Sequence, residues 1–275
     1  VDYLTESDPA FNFKSVSKQT IGIASLLLFF NVSAFAANSL NKLYEDALIN
    51  FQKGEIATSI IHLKNALKQG EHLPSRILLA QAYLEQGNGT AAEVELNKAK
   101  ERNADKDRLV TLFAHAYILQ KKFEEVLKVA TSGNRGSKIE AELLVYKGQA
   151  LIGQKLYRSA DVAFEEALVL MPGNQMALLG RAQMALNALK PDKALGFIEQ
   201  ALSHSTPFIN GWIFKANLLH QLGKINQAIA AVEQALAIDE SHMAARLSMA
   251  MLHISLQEYK LAEPHVDYII SEIPN

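Results

Sequence analysis

Amide and imidazole side chains recur at a fixed interval along the chain, at Gln81, His115, Gln149, Gln183 and Asn217. Each step between them is 34 residues. Every one of these side chains offers both a hydrogen-bond donor and an acceptor. A line of such groups can hold the backbone of an extended peptide without demanding a particular peptide sequence. The pattern therefore predicts a peptide-binding groove.

Apolar residues flank this line one helical turn away on both sides. On one side they are Ile77, Val145, Leu179 and Ile213, and on the other Leu84, Ile118, Ile152 and Leu186. We expect a groove with a polar centre and apolar walls. The alternative is a solvated face whose apolar neighbours simply belong to the core. A groove that holds acidic peptide tails through lysine is disfavoured, because none of the flanking residues Ile77, Thr111, Val145, Leu179 and Ile213 is basic.

No other pattern predicts chemistry, so we assign no catalytic, cofactor-binding or metal-ligating residue and expect no cofactor. None of the eight histidines has another at a spacing of three or four residues, and the chain has no cysteine. Gly87-Asn88-Gly89 resembles part of a dinucleotide-binding motif, but no predicted strand precedes it as such a site requires. These glycines therefore predict a turn. Gly133 and Gly136 likewise predict a loop between repeats. We expect the protein not to be an enzyme.

Composition and charge narrow the function further. The 275 residues carry 27 Lys and Arg against 29 Asp and Glu, a formal charge of -2. Without a basic field we expect no nucleic-acid partner. Glycine and proline are few, at 14 and 7 residues, while leucine and alanine are abundant. This composition favours a mostly helical protein.

Small residues recur with the same period and divide the chain into seven repeats. The first column contains Ala47, Ala80, Ala114, Gly148, Ala182, Ala216 and Ala250. Two further columns follow twelve and nineteen residues later, beginning at Ser59 and Ala66. The repeats are predicted near residues 40–72, 73–106, 107–140, 141–174, 175–208, 209–242 and 243–275.

Each repeat contains two apolar stretches at helical spacing, separated by a short turn. Small residues are needed where two helix axes approach within about 8 Å, since a larger side chain would force them apart. One helix pair cannot bury its apolar face alone, so neighbouring pairs must stack. The sequence predicts an all-α solenoid of about seven helix-turn-helix repeats.

These features resemble the tetratricopeptide repeat (TPR) family. The resemblance is strongest in the run from Leu144 through Gly148 to Pro172 and in the run from Trp212 through Ala216 to Ala235. It covers residues 40–275 and implies a superhelical solenoid that binds peptides in the groove formed by its first helices. The run from Tyr44 to Leu67 is similar to the exported TPR protein of the PEP-CTERM/exosortase system, which is associated with surface-protein sorting and exopolysaccharide production in Gram-negative bacteria.

Residues 14–36 have the order of a secretory signal peptide. A basic start is followed by ten apolar residues, Ile21 to Phe30, which is about half the length needed to cross a bilayer. Ala34, Ala36 and Ala37 fit a cleavage site. An uncleaved anchor or a buried helix are the alternatives. Residues 1–13 fit no signal peptide and stay unassigned, and we expect no transmembrane span in the mature chain.

These observations predict an exported, non-enzymatic scaffold that is periplasmic or associated with the outer membrane. Its partner would be a peptide or protein subunit of an envelope assembly for exopolysaccharide or surface-protein export. One alternative is a structural spacer that self-associates through uncapped ends, and another is the docking half of a longer enzyme. The end at a repeat boundary suggests a fragment, or an end that a partner covers.

Overall fold

The computed structural model of the protein describes residues 39–204 and 206–272. The predicted signal peptide, its cleavage residues Ala34, Ala36 and Ala37, and the extension 1–13 lie outside the described residues.

The described residues form fourteen α-helices and no strand. The chain divides into two compact units, Val1–Gln86 and Gly87–Asn275. In the first unit the helices are α1 (39–52), α2 (Ile56–Gln69) and α3 (Leu73–Glu85). In the second unit they are α4 (Gly89–Glu101), α5 (Lys106–Leu119), α6 (Phe123–Val129), α7 (Ser137–Gly153), α8 (Tyr157–Leu170), α9 (Gln175–Asn187), α10 (Pro191–Leu202), α11 (Ile209–Gln221), α12 (Ile225–Ile238), α13 (Met243–Ser255) and α14 (Tyr259–Ser271).

The all-α, repeat-based fold class is confirmed. Helices α3, α9, α11 and α13 begin at the residues where the period places the start of a repeat. Within the second unit each first helix packs on its own second helix and also on the first helix of the next repeat. This is the nearest-neighbour stacking by which helix pairs bury a continuous core.

The small-residue columns lie where helices make their closest contacts. All seven members of the first column are buried. At Gly148 an added Cβ would lie 2.5 Å from the ring of Phe164, and at Gly180 one would lie 2.6 Å from the same ring. The Phe164 ring from α8 therefore fills the space that side chains on α7 and α9 would otherwise take, which explains why glycine occupies both positions.

The turn between the two helices of a repeat always contains one residue in the left-handed region. These residues are Gly54, Gly87, Lys121, Lys155, Leu189, Gly223 and Gln257, with φ between 56° and 80°. In most of the turns, two backbone bonds close the helix end, as where Leu189 N–H donates to Leu186 O at 2.9 Å and Lys190 N–H donates to Ala185 O at 2.9 Å. This is the Schellman pattern, which satisfies the last carbonyl groups of a helix.

The third repeat departs from the regular pattern. Its second helix is short, because α6 ends at Val129. Gly133, a member of the third column of small residues, consequently lies exposed in the loop and not at a contact between helices. The following helix, α7, begins at Ser137, four residues before the predicted boundary at Ala141. In the last repeat, α14 contains Pro264 within its length.

None of the helices in the described ranges combines the length and the apolar character that crossing a bilayer requires.

Leu189 offers a direct test of the turn. Its φ of 56° is unfavourable for a residue with a Cβ, and its side chain is 88% exposed, so packing does not compensate. We expect Leu189→Gly to raise the free energy of unfolding by about 0.5–1 kcal/mol, measured by denaturant unfolding. Val162→Gly, at an exposed position inside α8, is the control and should lower stability. A loss of stability in both variants would contradict the proposed strain at Leu189.

Candidate functional site

The predicted line of amides lies on the first helices of successive repeats. His115, Gln149, Gln183 and Asn217 belong to α5, α7, α9 and α11, each of which contacts the next helix in this series. The side chains of Gln149, Gln183 and Asn217 form no hydrogen bond with any residue that the structure describes. Gln183 and Asn217 are exposed and Gln149 is half-buried. The second unit thus carries a row of amides with unused donors and acceptors.

In the first unit, Gln81 is half-buried on α3, one residue after the buried Ala80. Ile77, on the same helix, is only 3% exposed. Its side chain therefore belongs to the core and leaves almost no surface for a ligand.

The other predicted wall residues also contact the core. Val145 is 4% exposed and packs in the cluster around Phe164. Leu179 and Ile213 are half-buried and pack against the neighbouring clusters. The predicted wall residues therefore contribute to the packing between helices. That they flank a binding groove stays a prediction.

His115 does not extend the row as a free imidazole. Its ring is stacked on that of Tyr146, with ring centroids 5.6 Å apart and an interplanar angle of 22°. Because Tyr146 belongs to α7, this contact joins α5 to α7 at the level of the amide row. Tyr146 in turn borders a cavity next to Gln149.

This cavity, which we call the α7 cavity, has a volume of about 270 Å³. Its lining comes from one face of α7, from the connection between α8 and α9, and from the first turn of α9. The lining residues are Lys138, Glu142, Val145, Tyr146, Gln149, Met171, Asn174 and Met176. It combines the amide of Gln149 with a carboxylate, an aromatic ring and two thioethers, all at the row of first helices.

Glu142 is the unusual member of this lining. Its carboxylate forms no hydrogen bond and no ion pair within 4.0 Å with the described residues. Burial raises the pKa of the Glu142 carboxyl above its ordinary value, and the positive charge of Lys138 opposes this rise only in part. A half-buried carboxylate without a partner weakens the fold at neutral pH, and such groups are concentrated at functional sites.

The sequence analysis missed Glu142, Met171 and Met176. Glu142 lies seven residues before Gln149, so it shares the face of α7 that carries the amide. This spacing could have revealed it. Met171 directly follows the last residue of α8 and Met176 lies in the first turn of α9, both at positions outside the columns of small residues.

A second exposed feature lies on α13, where the amide row ends. Met243, Leu247, Met251 and Ile254 are 40%, 52%, 52% and 48% exposed, and their spacing places them along one side of the helix. At the position of the amide row this helix has Met251. The surface therefore changes from polar at α9 and α11 to apolar at α13.

No grouping of three or more His, Asp or Glu side chains in the described residues could hold a metal ion. Two histidines do meet across the last helix pair, since the rings of His253 and His265 are stacked at 6.4 Å. His253 Nδ1 also lies 2.8 Å from Glu258 Oε2. His253 is thus part of the packing between α13 and α14.

Stacked helix pairs with an open row of polar side chains define a helical-repeat protein, and the comparisons identify the type of repeat. Residues 209–242, which cover α11 and α12, match the family model of the tetratricopeptide repeat. A tetratricopeptide repeat protein from Parabacteroides merdae superposes with a TM-score of 0.57 at 17% identity, covering 86% of this chain and 94% of that one. The chain has the fold of a TPR solenoid.

Two further proteins show the same likeness. In the Cut9-Hcn1 hetero-tetramer of the APC/C, one chain superposes with a TM-score of 0.59 at 14% identity, covering 89% of this chain and 45% of that one. The STIP1 homologue of Dictyostelium discoideum is 28% identical over 96 residues, or 35% of this chain and 17% of that protein. The chain thus matches less than a fifth of the length of this relative.

Because the pKa of Glu142 is raised, replacing this residue should stabilise the fold by an amount that depends on pH. Because the folded state binds this proton more tightly than the unfolded state, the carboxyl destabilises the fold only once it ionises. The penalty is absent below the unfolded pKa of about 4.3 and complete above the folded pKa. We expect Glu142→Gln to melt at a higher temperature than the wild type at pH 7, with the difference shrinking as the pH falls towards 4. Gln149→Ala, which changes the same cavity without a titrating group, should give a difference independent of pH.

Proposed function

We propose that the protein is a non-enzymatic scaffold that binds an extended segment of a partner protein along the first helices of its second unit. The observation that carries this proposal is the row of unpaired amides at Gln149, Gln183 and Asn217. Unpaired amides at one register on neighbouring helices match the donors and acceptors of a peptide backbone. The TPR fold supports the proposal, because stacked repeats create extended binding surfaces.

The proposal includes a place of action. A signal peptide at residues 14–36 would export the protein, to act in the periplasm or at the outer membrane of a Gram-negative bacterium. The resemblance of Tyr44 to Leu67 to the PEP-CTERM/exosortase TPR protein supports a partner in an envelope assembly for exopolysaccharide or surface-protein export. These two features of the sequence are the support for this part of the proposal.

The alternative function is a self-assembling spacer without a groove ligand. One observation favours it, namely the exposed apolar side chains of the last helix pair. They include Leu247, Met251 and Ile254 on α13 and Tyr259, Leu261 and Ile270 on α14. Exposed apolar side chains concentrated on one helix pair are typical of interaction sites, and here the partner would be a second copy of the chain.

Photo-crosslinking separates the two functions. A photoreactive amino acid is placed at Gln183, at Met251 or, as control, at the exposed Lys128 on α6, and the cells that naturally produce the protein are irradiated. The scaffold predicts an adduct with a different protein from Gln183 and none from Lys128. Adducts with the protein itself from Met251, without any adduct from Gln183, would support the spacer.

Substitutions in the row and in the core should have opposite effects. We expect Gln149→Ala with Gln183→Ala to leave the helical circular dichroism nearly unchanged while weakening the binding of the crosslinked partner. Ala160→Leu or Ala228→Leu should lower the free energy of unfolding by about 1–3 kcal/mol, since both alanines are fully buried between helices. Equal loss of folding in both sets would show that the amides are structural and would contradict the groove.

A further inference from the structure

We propose that the α7 cavity binds an arginine side chain of the partner segment, with Glu142 as the counter-charge. This inference rests on the proposed function, because it names a residue that the bound peptide carries. It assigns a selective contact to a surface whose amides otherwise recognise only a peptide backbone.

Charge is the first argument for a cation. Glu142 provides the only carboxylate in the lining of the cavity. This carboxylate lacks a hydrogen-bond or ion-pair partner among the described residues. A guanidinium group donates two parallel N–H bonds to a carboxylate and would restore the interactions that Glu142 loses by burial.

The remaining lining fits the rest of an arginine side chain. Met171 and Met176 form one wall and Val145 lies in the lining from α7, so the aliphatic stem has apolar surface to cover. The Tyr146 ring borders the same space, and guanidinium planes pack favourably on aromatic rings. The amide oxygen of Gln149 can accept a further N–H. A volume of about 270 Å³ is enough for one arginine side chain.

Lys138 is the one basic residue in the lining and does not fill this role. Its ammonium group lies more than 4.0 Å from the Glu142 carboxylate, because no ion pair joins them. The order, with lysine four residues before glutamate, is the weaker one on a helix. Lys138 is exposed and can turn towards solvent when a guanidinium enters.

A second cavity provides a comparison, because its carboxylate already has a cationic partner. The cavity beside Trp212 has a volume of about 330 Å³ and also contains a carboxylate, that of Glu199. There Lys215 Nζ lies 3.0 Å from Glu199 Oε1 and 5.8 Å from the centre of the Trp212 ring. Its carboxylate and aromatic ring already hold a cation from the chain itself. In the α7 cavity no such cation is in place.

Methionine-methyl NMR tests the proposal on the full chain. The protein has six methionines, so selectively ¹³C-labelled methyl groups give a simple spectrum. The probe is Nα-acetyl-arginine N-methylamide, titrated against the wild type. We expect its addition to shift the methyl signals of Met171 and Met176. The signals of Met243 and Met251, which are exposed on α13, should not move and serve as internal controls.

Matched ligands and variants test whether binding depends on the charges of the guanidinium group and of Glu142. The citrulline derivative has the same shape without the charge and should not bind. Glu142→Gln should weaken arginine binding by about tenfold or more, and Lys138→Ala should strengthen it about twofold to fivefold. Glu166→Gln, an exposed change of the same charge on α8, should have no effect.

Several outcomes would overturn the proposal. They are the absence of any shift with the arginine derivative, equal shifts with the citrulline derivative, and unchanged binding in Glu142→Gln. Tighter binding of the corresponding lysine derivative would overturn the assignment of arginine.

Failure of this inference is distinguishable from failure of the proposed function. The NMR titration uses an isolated amino-acid derivative, whereas photo-crosslinking from Gln183 reports a protein partner whatever the α7 cavity binds. An adduct from Gln183 without binding of the arginine derivative would support the scaffold function and contradict the arginine site. Binding of the arginine derivative without any adduct would support a cation site in the α7 cavity and contradict the scaffold function.

Discussion

The close approach of helices at the small-residue columns is the constraint on which the rest of the structure depends. Ala114, Ala182 and Ala216 are almost completely buried. Where the contact is tighter still, as beside Phe164, glycine replaces alanine. Because larger residues at these points would separate the helices, the columns fix both the distance and the rotation of every pair. Stability then accumulates as a sum over similar interfaces, with no single central core.

The fixed rotation also decides which positions remain available for binding. Since each small residue points into the helix contact, the residue that follows it lies beside the contact on the row of first helices. Gln183 and Asn217 are exposed for this reason, and Gln149 and Gln81 are half-buried at the same register. The residues four positions earlier face the neighbouring helices, which is why Ile77 and Val145 are core residues. On the proposed function, packing and recognition are therefore two consequences of one helical register.

Periodic features of the structure could be predicted from the sequence, and features outside the period could not. The columns place the starts of α9, α11 and α13 correctly because every interface repeats the same contact. They miss the start of α7, because the early end of α6 at Val129 lengthens the loop and lets α7 gain a turn. They also miss the α7 cavity. Its methionines come from the end of α8 and the start of α9, outside the small-residue columns, and its carboxylate occupies a position where α5 and α9 have Arg108 and Met176. Non-local contacts of this kind become visible only once the chain is folded.

The difference between periodic and non-periodic residues also bears on how a repeat protein acquires selectivity. On the proposed function, residues shared by all repeats give a surface that recognises any extended backbone, since amides offer no preference among side chains. Selectivity must then come from residues that break the repeat, and Glu142 is such a residue. Its half-buried, unpaired carboxylate weakens the folded state at neutral pH, so stability alone would favour an uncharged side chain at this position. A partner with an arginine recovers that free energy on binding, whereas a partner without one leaves the carboxylate unpaired. On this proposal, the unpaired carboxylate of the α7 cavity discriminates between peptides through the cost of the wrong ligand as much as through the contacts of the right one.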